Sequence, residues 1–243
     1  MNQTEAIAKL CVALDVPDSK TALDLAATLQ GHVGFVKVGL ELYCAEGPTI
    51  VTALAKLGVK IFLDLKFHDI PNTVAAVSRV VASLGVDILN LHASGGPEMM
   101  KACLDAVTDA AAKARVPRPR LIAVTVLTSI DDAGFRHLSQ NDNVTVRQQV
   151  SHLARMALAS GLDGVVASPQ EIEAIRSVCG PEFLIVTPGV RSVGGLVGDQ
   201  KRVATPFGAI TAGADILVIG RPITAAKDPL EAAKAILREI EGL

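Results

Sequence analysis

Short apolar segments alternate with longer amphipathic segments along the whole chain. The apolar segments are rich in Val, Ile and Leu and short enough for strands, whereas the amphipathic ones suit helices. This pattern predicts strands at residues 10–16, 35–41, 60–66, 87–94, 120–128, 164–169, 183–190 and 215–222. It predicts helices at residues 19–30, 48–57, 73–84, 97–114, 146–160, 169–178, 206–212 and 229–240.

The predicted helices begin and end at residues that favour those positions. Asp18 can cap the first helix, Pro48 suits the first turn of the second, and Asp228 with Pro229 opens the last. Glycines at positions 31, 58, 85 and 161 follow helix ends, where a left-handed residue is favoured. Eight strand–helix units predict a parallel sheet, and eight strands can close a barrel. We therefore expect an α/β fold, a single (β/α)8 TIM barrel over residues 1–243, with a doubly wound open sheet as the alternative.

The composition supports a large core and disfavours several functional classes. Half of the residues are hydrophobic, 3% are aromatic and tryptophan is absent, so Val, Ile, Leu and Ala must fill the core. The formal net charge of −2 suggests no basic face for a nucleic acid. The four cysteines include no C-x-x-C pair, so we expect reduced thiols in a cytoplasmic protein. We also expect neither a secretory signal nor a membrane span, because the chain lacks the apolar runs that these need.

Charged residues lie at the ends of the first three predicted strands. Asp15 closes the first strand, Lys37 lies in the second, and Asp64 and Lys66 end the third. The carboxyl ends of barrel strands build the active site, and side-chain alternation directs Asp64 and Lys66 into the barrel mouth. An ordinary salt bridge is the alternative. Four charges of alternating sign favour a functional cluster, because charges beside an apolar core are costly unless paired or used.

The turn after the third strand adds a second carboxylate near Lys66. Asp69 follows three residues later, and Pro71 then begins a helix. A lysine between two aspartates is expected to remain protonated, because each carboxylate favours the ammonium. A protonated lysine suits a general acid or an electrostatic clamp better than a Schiff base, which requires the free amine.

The last two predicted strands end in segments that suit a phosphate group. TPGVR (187–191) ends the seventh strand and GRP (220–222) ends the eighth, where barrel enzymes often bind phosphate. Gly220 permits a close backbone approach and Arg221 offers a forked donor, although a surface arginine beside a turn glycine is the alternative. The glycine-containing segment 191–202 predicts either a loop that closes over phosphate or an ordinary solvated loop.

Histidine and serine residues form no recognisable catalytic motif. His68 and His92 lack a second ligand at a usual metal-binding spacing, so a structural role is favoured. Ser94 and Ser168 lie outside any G-x-S-x-G motif, which argues against a serine hydrolase. We therefore expect no metal site and no organic cofactor.

The most specific string in the chain is DLKFHDIPNT (64–73). It is accompanied by ALD (13–15), KVG (37–39), NLHASGG (90–96), AVTVLTS (123–129), DGVVAS (163–168), TPGVR (187–191), GDQKR (198–202) and VIGRP (218–222). Together these motifs resemble the orotidine 5′-monophosphate decarboxylase family along the whole chain. The resemblance implies a cofactor-independent, cytoplasmic carboxy-lyase of pyrimidine biosynthesis that converts orotidine 5′-monophosphate to uridine 5′-monophosphate and CO2.

The resemblance also implies roles for the charged residues. Lys66 would protonate C6 of the pyrimidine, and Asp64 would lie beside the leaving carboxylate. Lys37 and Asp69 would complete an alternating charge network. Such a network fits the chemistry, because negative charge at C6 is poorly delocalised and needs a fixed cation nearby.

The remaining implied roles concern substrate binding and assembly. Thr128 would lie against the pyrimidine, and Pro188 would also contact the substrate. In a homodimer with composite sites, Asp69, Ile70 and Thr73 would reach the neighbouring subunit's site. The ribose hydroxyls would be held by Asp15, Lys37, Asp69 and Thr73, and the phosphate by Arg191, Gln200, Gly220 and Arg221.

Two other functions compete with this interpretation. One is an Mg²⁺-dependent decarboxylase of 3-keto sugar phosphates from the same superfamily, which sensitivity to a chelator would reveal. The other is a non-catalytic sugar-phosphate-binding barrel, which would need the phosphate end but not Lys66 between two carboxylates. Loss of orotidine-phosphate absorbance would separate both from the first interpretation.

Overall fold

The computed structural model describes residues 1–191 and 204–242, and over these residues eight parallel strands close into a barrel. Each strand pairs with the next in sequence, and β1 pairs with β8. The predicted (β/α)8 barrel is confirmed, and the open sheet is excluded. The strands are β1 (Leu10–Ala13), β2 (Phe35–Val38), β3 (Ile61–Phe67), β4 (Ile88–His92), β5 (Arg120–Val124), β6 (Gly164–Val166), β7 (Leu184–Thr187) and β8 (Ile216–Ile219).

Helices surround the barrel, and the eight predicted ones are present with ends shifted by at most three residues. Asp18 and Asp228 cap helices as predicted, and the glycines at 31, 58, 85 and 161 have positive φ. The helices are α1 (Gln3–Lys9), α2 (Ser19–Leu29), α3 (Leu40–Glu46), α4 (Thr49–Lys56), α5 (Pro71–Ala82), α6 (Gly96–Ala114), α7 (Asp132–Ser139), α8 (Val146–Ala159), α9 (Ile172–Cys179), α10 (Pro206–Thr211), α11 (Arg221–Thr224) and α12 (Pro229–Glu241). A 3₁₀ turn, Pro169–Glu171, precedes α9.

Several strand predictions extended too far. The second was predicted over 35–41, but β2 ends at Val38 and α3 begins at Leu40, with Gly39 as its N-terminal cap. The fifth was predicted over 120–128, but β5 ends at Val124. In both cases the residues beyond the strand lie in segments that build the mouth of the barrel.

Alternating strand residues fill two separate apolar layers. One set points into the barrel, including Phe35, Phe62 and Ile122, and forms a core of its own. The other set, including Val36 and Leu63, packs against the surrounding helices. Because strands buried on both faces carry apolar residues almost without interruption, they appear in the sequence as short apolar runs.

Three aspartates bind backbone amides at the amino-terminal end of the barrel. Asp87, Asp163 and Asp215 precede β4, β6 and β8, and each accepts a hydrogen bond of 2.6–2.8 Å from an amide at the start of the preceding strand. Arg118 pairs with Asp163, and Arg176 pairs with Asp215. These contacts stabilise the end opposite the strand carboxyl ends, the usual division in such barrels.

The four cysteines Cys11, Cys44, Cys103 and Cys179 are all free, which agrees with the expectation of reduced thiols. Of the helices in the described ranges, none has the length and apolar character to cross a bilayer.

Candidate active site

A cavity of about 560 Å³ opens at the carboxyl ends of the strands. Part of its wall is apolar, and each of these side chains comes from a different strand: Ala13, Phe62, Val124, Val166 and Val218. Such a surface can bury the face of a planar ring, while polar groups at its edges fix the orientation.

Four charged residues form a continuous series of ion pairs along the polar part of the cavity wall. Lys37 Nζ lies 2.9 Å from Asp15 Oδ1 and 3.3 Å from Asp64 Oδ2. Lys66 Nζ lies 2.7 Å from Asp64 Oδ1. The order Asp15–Lys37–Asp64–Lys66 alternates in sign, as predicted, and all four residues line the cavity.

The inner pair of this series, Lys37 and Asp64, is nearly buried yet charged. Burial would raise the pKa of Asp64, but the charges of Lys37 and Lys66, with hydrogen bonds from Lys66 and Asn90, hold that pKa below its usual range. Burial would lower the pKa of Lys37, but the carboxylates of Asp64 and Asp15 outweigh it and raise that pKa. The network therefore keeps both groups ionised beside the apolar wall.

Gly39 leaves room for the ion pair between Lys37 and Asp15. A Cβ atom at this position would lie 2.8 Å from Lys37 Nζ and 2.9 Å from Asp15 Oδ1. A side chain here would displace one of the two charged groups, which explains a glycine directly after β2.

Lys66 reaches the network through an irregularity in β3. The pairing of β3 with β4 shifts register between Leu63 and Phe67, and Lys66 adopts a left-handed conformation with φ of 52°. Its amide donates a 2.8 Å hydrogen bond to Oδ1 of Asn90 on β4. The sequence predicted the direction of Lys66 from simple alternation, whereas a bulge, a common feature beside active sites, aims this side chain.

The structure does not bring Asp69 to Lys66 within the chain. Asp69 is exposed, makes no ion pair to another described residue, and accepts a hydrogen bond from the amide of Ile70. Within a single chain, only Asp64 of the two carboxylates predicted to flank Lys66 forms an ion pair with it. Ile70 and Thr73 are also exposed and lie outside the cavity wall.

The residues predicted for the phosphate end gather at one side of the cavity. Pro188 and Arg191 after β7, Gly220 and Arg221 after β8, and Thr128 after β5 all line it. Gln200 lies outside the described residues, as does most of the predicted closing loop 191–202.

His68 and His92 stack with ring centroids 5.2 Å apart. Burial, together with the charges of His68 and Lys66, lowers the pKa of His92. Among the described residues no group of three His, Cys, Asp or Glu side chains is placed to hold a metal.

Several residues of the site were not predicted from the sequence. Glu41, Leu127 and Ser129 line the cavity, and Asn90 contacts two members of the charged network from behind. Asn90, Leu127 and Ser129 lie within the quoted motifs NLHASGG and AVTVLTS, so proximity to those motifs was the available signal. Glu41 was placed in a predicted strand but lies in α3.

Comparison with known proteins gives consistent matches over nearly the whole chain. Residues 8–236 match the model of the Orotidine 5′-phosphate decarboxylase / HUMPS family. The orotidine 5′-phosphate decarboxylase of Moorella thermoacetica is 53% identical over 233 residues, which cover 96% of this chain and 92% of that protein. That of Trichlorobacter lovleyi is 50% identical over 245 residues, with 99% and 98% covered. The crystal structure of orotidine 5′-phosphate decarboxylase from Lactobacillus acidophilus superimposes with a TM-score of 0.81 at 40% identity, covering 95% of this chain and 98% of that one.

Proposed function

The chain belongs to the Orotidine 5′-phosphate decarboxylase / HUMPS family, and on this basis we propose how its cavity performs the family's reaction. The protein is a carboxy-lyase that decarboxylates orotidine 5′-phosphate in pyrimidine biosynthesis. The observation that carries the proposed mechanism is the Asp15–Lys37–Asp64–Lys66 chain of ion pairs beside an apolar wall.

Lys66 supplies the cation and then the proton at C6. When CO2 leaves, the bonding electron pair remains at C6 in the plane of the ring, where the π system does not delocalise it. A preorganised ammonium stabilises this charge more than water does, because its position is fixed before the reaction. The 2.7 Å pair with Asp64 fixes the ammonium, and 30% of the Lys66 side chain stays accessible from the cavity.

Asp64 lies beside the substrate carboxylate and stays ionised through its two lysine partners. Its repulsion of the leaving group disfavours the ground state, and Lys37 anchors it in place. Because Lys37 bonds both Asp64 and Asp15, it links the reacting end of the cavity to the part that holds the ribose.

The substrate's outer parts bind around the rim. Thr128 lies against the pyrimidine and Pro188 against the substrate, while Asp15 and Lys37 hold ribose hydroxyls. The phosphate group is bound by Arg191, Gln200, Gly220 and Arg221. Binding energy from these distant contacts orders the substrate over the charged network.

A homodimer completes each site. Asp69, Ile70 and Thr73 lie on the turn after β3 and at the start of α5, outside their own chain's cavity wall, and Ile70 is 66% exposed. An exposed isoleucine flanked by polar groups suits contact with a second subunit. Asp69 and Thr73 then hold ribose hydroxyls in the partner's cavity.

Mixed dimers test the shared site. Lys66→Ala and Asp69→Ala chains, each inactive alone, should regain activity when mixed, because a heterodimer has one site with both residues intact. Subunit exchange is measured independently of activity, by native mass spectrometry of the two chains in the same mixture. No recovery of activity, although heterodimers are detected, would contradict the composite site.

The reaction proceeds without metal or organic cofactor, in the cytoplasm of the cell. The fixed ammonium of Lys66 provides the electrostatic stabilisation that a Lewis acid would otherwise supply. Free thiols, including the exposed Cys44, fit a reducing compartment. Turnover should survive exhaustive dialysis against EDTA, and a loss that Mg²⁺ restores would contradict cofactor independence.

The function is tested by incubating the protein with orotidine 5′-phosphate. Absorbance of the substrate should fall while uridine 5′-monophosphate and CO2 appear in equal amounts. A folded protein that gives no product here, but releases CO2 from a 3-keto sugar phosphate with Mg²⁺, would refute the function.

A further inference from the structure

Asn90 makes two hydrogen bonds to the part of β3 that carries the chemistry. Its Oδ1 accepts from the amide of Lys66 at 2.8 Å, and its Nδ2 donates to Oδ1 of Asp64 at 2.6 Å. Only 1% of the residue is exposed, and it does not line the cavity. The side chain therefore acts on residues of the site and not on the substrate.

The first bond holds an unusual backbone conformation. A left-handed conformation costs a residue with a Cβ atom about 1–2 kcal/mol, so the surroundings must enforce it. At the bulge, the Lys66 amide bonds to the Asn90 side chain in place of a strand carbonyl. Asn90 thus satisfies a partly buried donor at the register shift of the strand pair.

The second hydrogen bond, from Asn90 to Asp64, fixes the orientation of the carboxylate that contacts both Lys37 and Lys66. Oδ1 of Asp64 accepts from both Lys66 Nζ and Asn90 Nδ2, while Oδ2 faces Lys37. With two donors on one oxygen and an ammonium on the other, rotation of the carboxylate is restricted. Asn90 also contributes to the low pKa of Asp64, after the larger effects of the lysines.

We propose that Asn90 is a positioning residue: through its amide group it holds the Lys66 backbone and the Asp64 carboxylate in the geometry that decarboxylation uses. The inference rests on the proposed function of Lys66 and Asp64. It requires both halves of the amide, the acceptor for Lys66 and the donor for Asp64.

Comparing two variants distinguishes loss of the Asn90 hydrogen bonds from a general effect of removing a buried polar contact. Asn90→Ala removes both bonds and should lower kcat about 10²-fold, because small misplacements of reacting groups have effects of that size. KM should change less than about threefold, since Asn90 touches neither ribose nor phosphate groups. Thr125→Val is the matched control: it removes one buried strand-end hydrogen bond, from Thr125 Oγ1 to Val166 O, without touching the network.

The Asn90→Asp variant gives a readout that packing alone would not change. Ionised, the new carboxylate repels Asp64; protonated, it has the shape of the amide and again donates to Asp64. Two adjacent carboxylates share a proton with a raised pKa, so kcat relative to wild type should recover at least about tenfold as the pH falls from about 8 to about 5. Other titratable groups near Asn90 and Asp64 are Lys37 on β2, Lys66 on β3 and His92 on β4. On β5, the residue that pairs with Asn90 is the apolar Ile122. Because both proteins contain these titratable groups, taking the ratio to wild type at each pH removes their common titration.

The outcomes are distinguishable from failure of the proposed function. If wild type does not decarboxylate orotidine 5′-phosphate, the function fails; if it does and both Asn90 variants match Thr125→Val, the positioning role is refuted. A ratio for Asn90→Asp that is flat with pH would also overturn it. If Asn90→Ala does not fold, Asn90→Asp decides the matter alone, and failure of that variant to fold at any pH would show that Asn90 supports the fold and not the site.

Discussion

Replacing Lys66 with alanine should remove most turnover while the barrel stays folded. The side chain is 30% exposed, and Asp64 keeps its contacts with Lys37 at 3.3 Å and with Asn90 at 2.6 Å after the change. The buried carboxylate is therefore not left without a positive partner, which is the usual reason for severe destabilisation.

The expected loss follows from the position of the ammonium. Two unit charges about 4 Å apart interact by about 4 kcal/mol at an effective dielectric constant of about 20. A loss of that size in the transition state lowers kcat about 10³-fold. Loss of the proton donor adds to this, since a positioned general acid typically contributes about 10²-fold or more.

The measurement compares kcat for Lys66→Ala with wild type by the decrease in orotidine 5′-phosphate absorbance. Lys113→Ala, at an exposed position in the last turn of α6, controls for loss of a lysine charge elsewhere. Circular dichroism and thermal unfolding establish that the fold persists. A variant that keeps more than about a tenth of kcat, a loss below about 1.4 kcal/mol, would refute the role of Lys66.

Three further predictions address binding, stability and pH. Arg221→Ala should lower kcat/KM by an amount equivalent to about 2–4 kcal/mol of transition-state stabilisation, as expected for a charge-assisted contact to phosphate. An unchanged kcat/KM would place Arg221 outside the phosphate site. Asp215→Ala should lower the free energy of unfolding by about 2 kcal/mol in urea titrations, because the amide of Ile185 loses its acceptor. Arg176 loses its carboxylate partner but keeps its bonds to backbone carbonyls. Asp105→Ala, at an exposed position, is the control, and equal effects would contradict the role of Asp215 at the end of the barrel. Because burial, and then the charges of His68 and Lys66, lower the pKa of His92, its contribution to stability is present above about pH 6.5 and lost as the pH falls. His92→Gln should therefore flatten the decline of unfolding free energy between about pH 7 and about pH 5, and an unchanged slope would contradict this.

The barrel was predictable because its strands are buried on both faces. Each strand then appears as an almost uninterrupted apolar run, and each run is followed by an amphipathic helix. Strand ends were less accurate for the same reason. In residues 35–41 the apolar run continues through Leu40, which belongs to α3, and hydrophobicity does not reveal where the strand stops.

Short helices were missed because each spans only about two turns or fewer. The helix α7 contains Gly134 and has no buried residue. The first two residues of the four-residue α11 were assigned to a predicted strand, 215–222, and α1 precedes the first apolar run.

The charged network was predictable in its members but not in its geometry. Alternation along a flat strand correctly placed Asp64 and Lys66 on one side. The position of Asp69 three residues later suggested a second carboxylate near Lys66, but Asp69 is exposed and forms no ion pair with it. The pairing of β3 with β4 shifts register between Leu63 and Phe67, and Lys66 bonds to Asp64. Register between strands depends on pairing across the sheet, which no single strand's sequence contains.

The bulge also explains why a lysine, and not a glycine, at this position points to function. Glycine or asparagine adopts the left-handed conformation at a lower cost, so backbone preference alone does not select lysine at position 66. The surroundings offset this cost through Asn90, whose oxygen accepts from the strained amide. A residue kept in a conformation that it disfavours, and supported by a buried side chain dedicated to it, is retained for what its own side chain does. Strain and its compensation therefore point to the Lys66 ammonium independently of the family comparison.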